Sequence, residues 1–320
     1  MSYIMLIVGF ILLIKGADWF VGGASSIAKT LKIPSLIIGL TIVAFGTSAP
    51  EAAVSITGAF AGANDITVGN VIGSNMFNLL VVVGVSAFIC PLKVKRSIIA
   101  KEFPFAILGT FVLILLGYDS KYHNYPDNVL TQADGIMLLL LMAIFMYYLI
   151  ELALTSRKNG VEAETEEEIK VYSMPKSIGL CLIGIVGIVL GGDWVVDAAS
   201  AIALTFGMSQ SMVGLTIVAI GTSLPELVTS VVAARKGESD IALGNVIGSN
   251  IFNVFFVLGI SSTIHEITIN TSVFFDMFLM LITSLIAYGF AVSKRKINKV
   301  EGVILISLYV AYMAFVIWKG

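Results

Sequence analysis

GLTIVAFGTSAPE, residues 39–51, returns as GLTIVAIGTSLPE at residues 214–226. Residues 39–89 align with 214–264 at a constant offset of 175, without a gap, and 29 of the 51 positions are identical. The similarity reaches back to GADWFV at 16–21 and GGDWVV at 191–196 on the same offset. A duplication of this length describes the whole chain as two copies of one unit.

Composition says what kind of unit it is. The 320 residues are 58% hydrophobic and only 12% charged, with a mean hydropathy of +0.98. A soluble domain carries about 25% charged residues. The apolar runs are long enough for helices of about 20 residues that cross a bilayer, and too long for the strands of roughly 10 residues in a membrane barrel. The expected fold is therefore all-α and integral to the membrane. Ten spans are expected, roughly at 3–25, 36–60, 68–90, 103–117, 130–154, 177–200, 212–234, 242–264, 273–292 and 300–318. MSYIMLIVGF at the N-terminus has no basic start and runs on as the first span, so no cleaved signal peptide is expected.

Loop charge orients these spans. Sixteen Lys and Arg fall on one side, including Lys29, Lys93, Arg96, Arg157, Arg235 and Lys299, against Lys121 and Lys319 on the other. Basic loops stay in the cytoplasm, which puts both termini outside and the multi-pass chain in the plasma membrane. Each repeat then holds five spans: 1–154 and 177–320, joined by a cytoplasmic acidic linker at 155–176. Five is odd, so the second copy is inverted relative to the first, the arrangement that gives secondary transporters two mirrored states of similar energy.

The repeat keeps polar residues at the middle of its spans. Glu51 and Glu226 lie near the centres of spans 2 and 7, beside Ser48 and Ser223, and Asn78 and Asn253 lie near the centres of spans 3 and 8. A carboxylate at that depth costs about 2.5–3.5 kcal/mol even on the lenient insertion scale. No Lys or Arg is placed to pair with either glutamate, and two nearby carboxylates repel unless a cation lies between them. Thr47 and Glu51 share a helix face at i and i+4, as do Ser74 and Asn78. Pro50 and Pro225 bring no N–H to the preceding turn, which loosens carbonyls around 44–47 and 219–222. Lipid cannot satisfy those carbonyls, so they are available as ligands. The result is an all-oxygen set suited to a hard cation such as Ca²⁺, with no His or Cys to favour zinc or copper. The glycines of GNVIGSN, at 69–75 and 244–250, suit close helix packing and equally a gating role.

GTSAPE with GNVIGSNMFN, repeated as GTSLPE with GNVIGSNIFN, resembles the paired alpha-repeats of the cation/calcium exchanger superfamily, most closely its sodium/calcium exchanger branch. The resemblance covers both halves. It implies that Glu51 and Glu226 bind Ca²⁺ together with Thr47 and Thr222. It further implies overlapping Na⁺ sites made by the carbonyls of Ala44 and Ala219, the hydroxyls of Ser48, Ser223, Ser74 and Ser249, and the amides Asn78 and Asn253. Three Na⁺ would exchange for one Ca²⁺, electrogenically, as spans 1 and 6 slide across the other eight. The ions are substrates and no cofactor is implied. The partners are these ions and the lipid bilayer, not nucleic acid, and the chain is expected to act as a monomer. Some relatives, including potassium-dependent ones, carry Asp at the position of Asn253, and the amide here argues against potassium co-transport. The proton-coupled branch usually has a GN…E motif where this chain has GTS.PE, which ranks Ca²⁺/H⁺ exchange second.

Other features point elsewhere than to the site. Asp18 and Asp193 obey the 175 offset but lie away from mid-span, where a structural hydrogen-bonding role is expected, as for Asp197. His123 and His265 fall in outward loops, which leaves an intramembrane hydrolase without an activated nucleophile. Cys90 and Cys181 lack metal-ligand spacing and read as small apolar fillers rather than a disulfide. EAETEEE at 162–168 reads as a flexible acidic linker. A cation channel would need a continuous pore, to which proline-broken inverted repeats are poorly suited.

Overall fold

The computed structural model of the protein describes residues 2–118, 128–158, 171–207 and 219–319. His123, the acidic run 162–168 and the start of the seventh expected span, 212–218, lie outside the described residues. The chain is a multi-pass helical membrane protein. Its long helices are α1 (Ser2–Leu31), the bent pair α2 (Ser35–Thr47) and α3 (Ala49–Phe60), α4 (Asn64–Ile89), α5 (Ile98–Gly117) and α6 (Gln132–Lys158). They continue as α7 (Met174–Thr205), α8 (Leu224–Arg235), α9 (Ser239–Ile264), α10 (Val273–Lys294) and α11 (Lys299–Lys319). Among the described residues, eight helices are long and apolar enough to cross a membrane alone, and α2–α3 make a ninth if the pair is one span.

Two features depart from a picture of plain apolar rods. Span 2 breaks at Ser48, where α2 and α3 meet at 52°. The cause is local: Pro50 sits in the first turn of α3, lacks an N–H and restricts the residue before it. Two helices also overrun their expected ends: α1 reaches Leu31 through the polar turn SSIAKT, and α7 reaches Thr205 through AIALT, which continues its apolar stretch.

α4 and α9 form the centre. The most apolar window of α9 is 94% buried and that of α4 72%, against 11% for α11. An all-round buried helix must let its neighbours come close, and Gly244 and Gly248 do so: a Cβ on Gly248 would lie 2.8 Å from the Cα of Leu40 on α2. Around this centre two short antiparallel ribbons tie the loops together. Leu92–Lys93 (β1) pairs with Lys296–Ile297 (β4), and Val129–Leu130 (β2) pairs with Ile267–Thr268 (β3). Leu92 and Ile267 are themselves 175 apart, so the ribbons are repeat-related.

α1 and α7 pack against each other along a seam of small residues seven apart. Gly9 faces Gly191, Gly16 faces Gly184, and Gly23 faces Ser177. The backbones touch: a Cβ on Gly16 would come within 2.8 Å of the Gly184 carbonyl, and one on Gly191 within 2.6 Å of the Leu13 nitrogen. Small residues are what allow such an approach between helices in lipid. Substituting Gly16→Val should therefore force the helices apart and lower stability by about 1–3 kcal/mol, the usual cost of overpacking. Thermal melting of the purified variant in detergent measures this, and an unchanged melting temperature would show that the seam is slack.

Candidate ion site

The bend at Ser48 decides where the first glutamate goes. Ser48 (φ −83°, ψ 8°) leaves the helix, and Glu51 enters the first turn of α3, fully buried. The second copy does the same with Ser223 (φ −93°, ψ 5°), Pro225 and Glu226 at the start of α8. The two copies then cross-link. Ser48 Oγ donates to Glu226 Oε1 at 2.8 Å, and Ser223 Oγ donates to Glu51 Oε1 at 2.9 Å. Ser74 Oγ on α4 lies 3.1 Å from Ser223 Oγ. Thr47 and Ser249 also face the Glu226 carboxylate. Thus Thr47, Ser48, Glu51, Ser74, Ser223, Glu226 and Ser249 gather in one buried cluster.

Asn78 and Asn253 stand on α4 and α9, each at the start of a π turn (Asn78–Val82 and Asn253–Val257), and both are fully buried. π turns inside α-helices are frequent at functional positions because they re-aim the side chains that follow. The Ala44 carbonyl is less free than the sequence suggests, since it accepts the Ser48 N–H at 3.0 Å and lies 3.4 Å from the Thr47 hydroxyl. Pro50 supplies no such donor to Gly46 one turn earlier. Ala219–Gly221 is helical, and Thr222 follows it at the second break.

Four amides that the sequence reading left as part of a glycine motif also belong here. Asn245 accepts from Thr47 Oγ1 at 2.9 Å, and donates to Ser230 Oγ at 2.9 Å and the Glu226 carbonyl at 3.4 Å. It thereby ties the turn before Glu51 to the turn carrying Glu226. Asn70 donates to the Glu51 carbonyl at 3.1 Å and to Ser55 Oγ at 2.9 Å. Asn75 and Asn250 bond across the α4–α9 contact. Their signal was in the sequence: amides preserved at the 175 offset, inside apolar helices, need partners.

The cluster's unsatisfied atoms are all oxygens. Glu51 Oε2, Glu226 Oε2 and Ser249 Oγ are buried there and find no hydrogen-bond partner among the described residues, and Asn78 Oδ1 on α4 and Asn253 Oδ1 on α9 are in the same condition. Buried polar atoms of this kind call for an explanation, and acceptors without donors suit a cation. Among the described residues, the ion pairs Lys95–Asp240 (2.9 Å) and Lys236–Asp18 (2.8 Å) involve neither glutamate. Asp18 thus has a structural partner, whose ammonium also donates to its carbonyl at 2.7 Å, while Asp193 and Asp197 are exposed. Cys90 and Cys181 are both free thiols, and His265 is exposed.

The family model described as "Sodium/calcium exchanger protein" matches residues 1–151 and 176–318. The chain belongs to the sodium/calcium exchanger family. It is a transporter of that family and not an enzyme. A putative antiporter, CaxA of Alkalimonas amylolytica, is 42% identical over 316 residues, covering 97% of this chain and 96% of that protein. The sodium/calcium exchanger MaX1 of Methanosarcina acetivorans is 32% identical over 340 residues, covering 98% and 97%. The solved structure of the sodium–calcium exchanger NCX_Mj soaked with zero Na⁺ and Ca²⁺ superposes with a TM-score of 0.81 at 32% identity, covering 98% of both chains.

The bridging role of Asn245 has a measurable cost. Asn245→Ala removes the donor to the Ser230 hydroxyl and the Glu226 carbonyl in a buried setting, and leaves the Thr47 hydroxyl only its own helix carbonyls. A loss of about 1–3 kcal/mol is expected for a buried polar group left unsatisfied. Chemical or thermal unfolding in detergent reads it, and a variant as stable as the native protein would remove Asn245 from the scaffold of the site.

Proposed function

We propose that this protein exchanges Na⁺ for Ca²⁺ by alternating access, with Glu51 and Glu226 as the ligands that carry the charge. One observation carries the reading: each glutamate has one oxygen held by a serine from the other repeat and its second oxygen unpaired in the same buried cluster. Two fixed carboxylates drawn together from two halves offset the dehydration of one divalent ion. Thr47 and Thr222 complete the Ca²⁺ site. Ala44, Ala219, Ser48, Ser223, Ser74, Ser249, Asn78 and Asn253 supply the overlapping Na⁺ sites.

The architecture in this proposal is ten spans, built as inverted five-helix units 1–154 and 177–320 around the cytoplasmic linker 155–176. Both termini face outward from the plasma membrane, and one copy of the chain suffices. The inverted repeat supports alternating access because it lets one sequence take two mirrored packings. Na⁺ coupling is favoured over H⁺ coupling by the relatives named as sodium/calcium exchangers.

The first test is ⁴⁵Ca²⁺ uptake into proteoliposomes holding internal Na⁺, compared with vesicles holding only a pH gradient. Uptake driven by Na⁺ is expected; uptake driven by the pH gradient alone would establish the proton-coupled reading instead. In the same assay Glu51→Gln and Glu226→Gln should each reduce exchange more than about 100-fold, since each removes half the charge facing the divalent ion, a loss of at least ~2.7 kcal/mol. Near-normal flux in either variant would remove that glutamate from the site.

Stoichiometry follows from charge. With both glutamates ionised, one Ca²⁺ leaves the site neutral and three Na⁺ leave it one charge positive. Moving one charge across the membrane is worth about 2.3 kcal/mol per 100 mV. Uptake of Ca²⁺ against three outgoing Na⁺ exports net positive charge, so an inside-positive potential set with valinomycin should speed it. A rate indifferent to the imposed potential would point to two Na⁺ per Ca²⁺.

A further inference from the structure

The α4–α9 contact holds four asparagines in a closed hydrogen-bond circuit. Asn75 Nδ2 donates to the Asn250 carbonyl at 3.1 Å, and Asn250 Nδ2 donates to the Asn75 carbonyl at 3.2 Å. Asn253 Nδ2 donates to Asn75 Oδ1 at 3.1 Å, and Asn78 Nδ2 donates to Asn250 Oδ1 at 3.2 Å. All four side chains are at least 95% buried, Asn250 being the most exposed at 5%. Asn75 and Asn250 are 175 apart, as are Asn78 and Asn253, so each half of the circuit repeats the other.

The polarity of this circuit runs in one direction. A backbone carbonyl can only accept. The Asn250 carbonyl therefore requires the amino group of Asn75. That turns Asn75 Oδ1 toward Asn253, and an acceptor there requires the amino group of Asn253. The carbonyl oxygen of Asn253 is then left facing away from the contact, without a partner. The mirror chain, from the Asn75 carbonyl through Asn250, leaves Asn78 Oδ1 in the same condition. Flipping either terminal amide would set two oxygens against each other in a buried contact. Relieving that clash by flipping Asn75 would set its oxygen against the Asn250 carbonyl. One amide orientation gives every polar atom in the circuit at least one partner except the two oxygens that are left over.

We propose that Asn75 and Asn250 are positioning residues for cation binding: they fix the amides of Asn253 and Asn78, respectively, so that each presents its carbonyl oxygen and never its amino group to the ions. The inference rests on the ion-site reading given above for Asn78 and Asn253. It adds what sets their orientation. An asparagine free to rotate would offer a donor as readily as an acceptor, and a donor at the site repels Na⁺ and Ca²⁺ alike. A pre-set acceptor also saves the ion the ordering of its ligand.

The pairing can be separated from a packing role by double substitution. The measurement is ⁴⁵Ca²⁺ uptake by the purified, reconstituted full chain, giving apparent KM and maximal rate separately. Asn75→Ala frees the Asn253 amide and should raise the KM for Ca²⁺ about tenfold, the loss of one well-placed ligand, while the maximal rate changes by less than about threefold. Asn253→Ala should do the same. Because one acts through the other, Asn75→Ala combined with Asn253→Ala should be no worse than Asn253→Ala alone, within about twofold. Asn250→Ala acts through Asn78, so combining it with Asn253→Ala should multiply the two effects, to about 100-fold. Additive losses from Asn75→Ala and Asn253→Ala, or an unchanged KM in Asn75→Ala, would overturn the proposal. If Asn75→Ala does not fold, Asn250→Ala read against Asn78→Ala tests the mirror half. Failure of both to fold would assign these amides to the scaffold and also overturn it. Absence of uptake by the native protein would sink the exchange reading together with this one; normal native uptake with additive variants would sink this one alone.

Discussion

Two glutamates buried in one cluster, with no basic residue beside them among the described residues, constrain everything around them. An ionised carboxylate loses several kcal/mol of hydration when it leaves water, and the loss must be offset by oriented groups or by a counter-ion. Here each carboxylate receives one serine hydroxyl from the opposite repeat. Those hydroxyls reach across only because Ser48 and Ser223 sit at breaks in their helices, outside α-helical geometry. The breaks in turn need the prolines two residues later and the amides of α4 and α9 to hold the loose ends. A continuous helix through residue 48 would keep the serine in the helix wall, away from Glu226.

The amides form a second tier with a different task. Asn70 and Asn245 grip the backbone carbonyls of Glu51 and Glu226, fixing where each carboxylate-bearing turn stands. Asn75 and Asn250 grip each other across the most buried helix pair. Apolar packing alone is nearly non-directional. In a membrane protein, where lipid competes equally for apolar faces, hydrogen bonds and close backbone approach give helix contacts their register. The glycine seam between α1 and α7 contrasts with this centre. Its glycine contacts are backbone against backbone, and side chains bond across it chiefly at one end, where Ser177 Oγ donates to Ser26 Oγ at 2.8 Å.

Much of this was legible in the residues, and the gaps have physical causes. Glu51 and Glu226 stood out because a carboxylate inside an apolar run is costly, and Pro50 and Pro225 marked the helix breaks. Serines 48 and 223 could be placed near the glutamates by helical spacing, whereas spacing tied Ser74 only to Asn78 on its own span. The partners could not: that Ser48 serves Glu226 rather than Glu51 depends on how two halves meet in space, which an internal repeat does not specify. Asn75 and Asn250 were hidden for a related reason. Inside GNVIGSN they read as part of a packing motif, and their donors are consumed by groups 175 residues away. The pairing of Asp18 with Lys236 was equally invisible, since the two are 218 positions apart and the counterpart of Lys236 in the first repeat is Ala61. The end of α1 falls beyond its apolar stretch because backbone bonds continue through the polar turn SSIAKT.

That last pair illustrates what it means for both copies to lie on one polypeptide. In a dimer of two identical chains, every substitution appears on both sides of the axis at once. After duplication and fusion each side drifts alone. Lys236 and Glu238 correspond at the 175 offset to Ala61 and Ala63, so the second copy has acquired charges at its helix end that the first copy lacks. The asparagines at the centre, by contrast, have stayed matched, 75 with 250 and 78 with 253. Drift of this kind lets a fused protein keep a paired interior while its two ends become chemically distinct, something a symmetric dimer of this fold has no means to do.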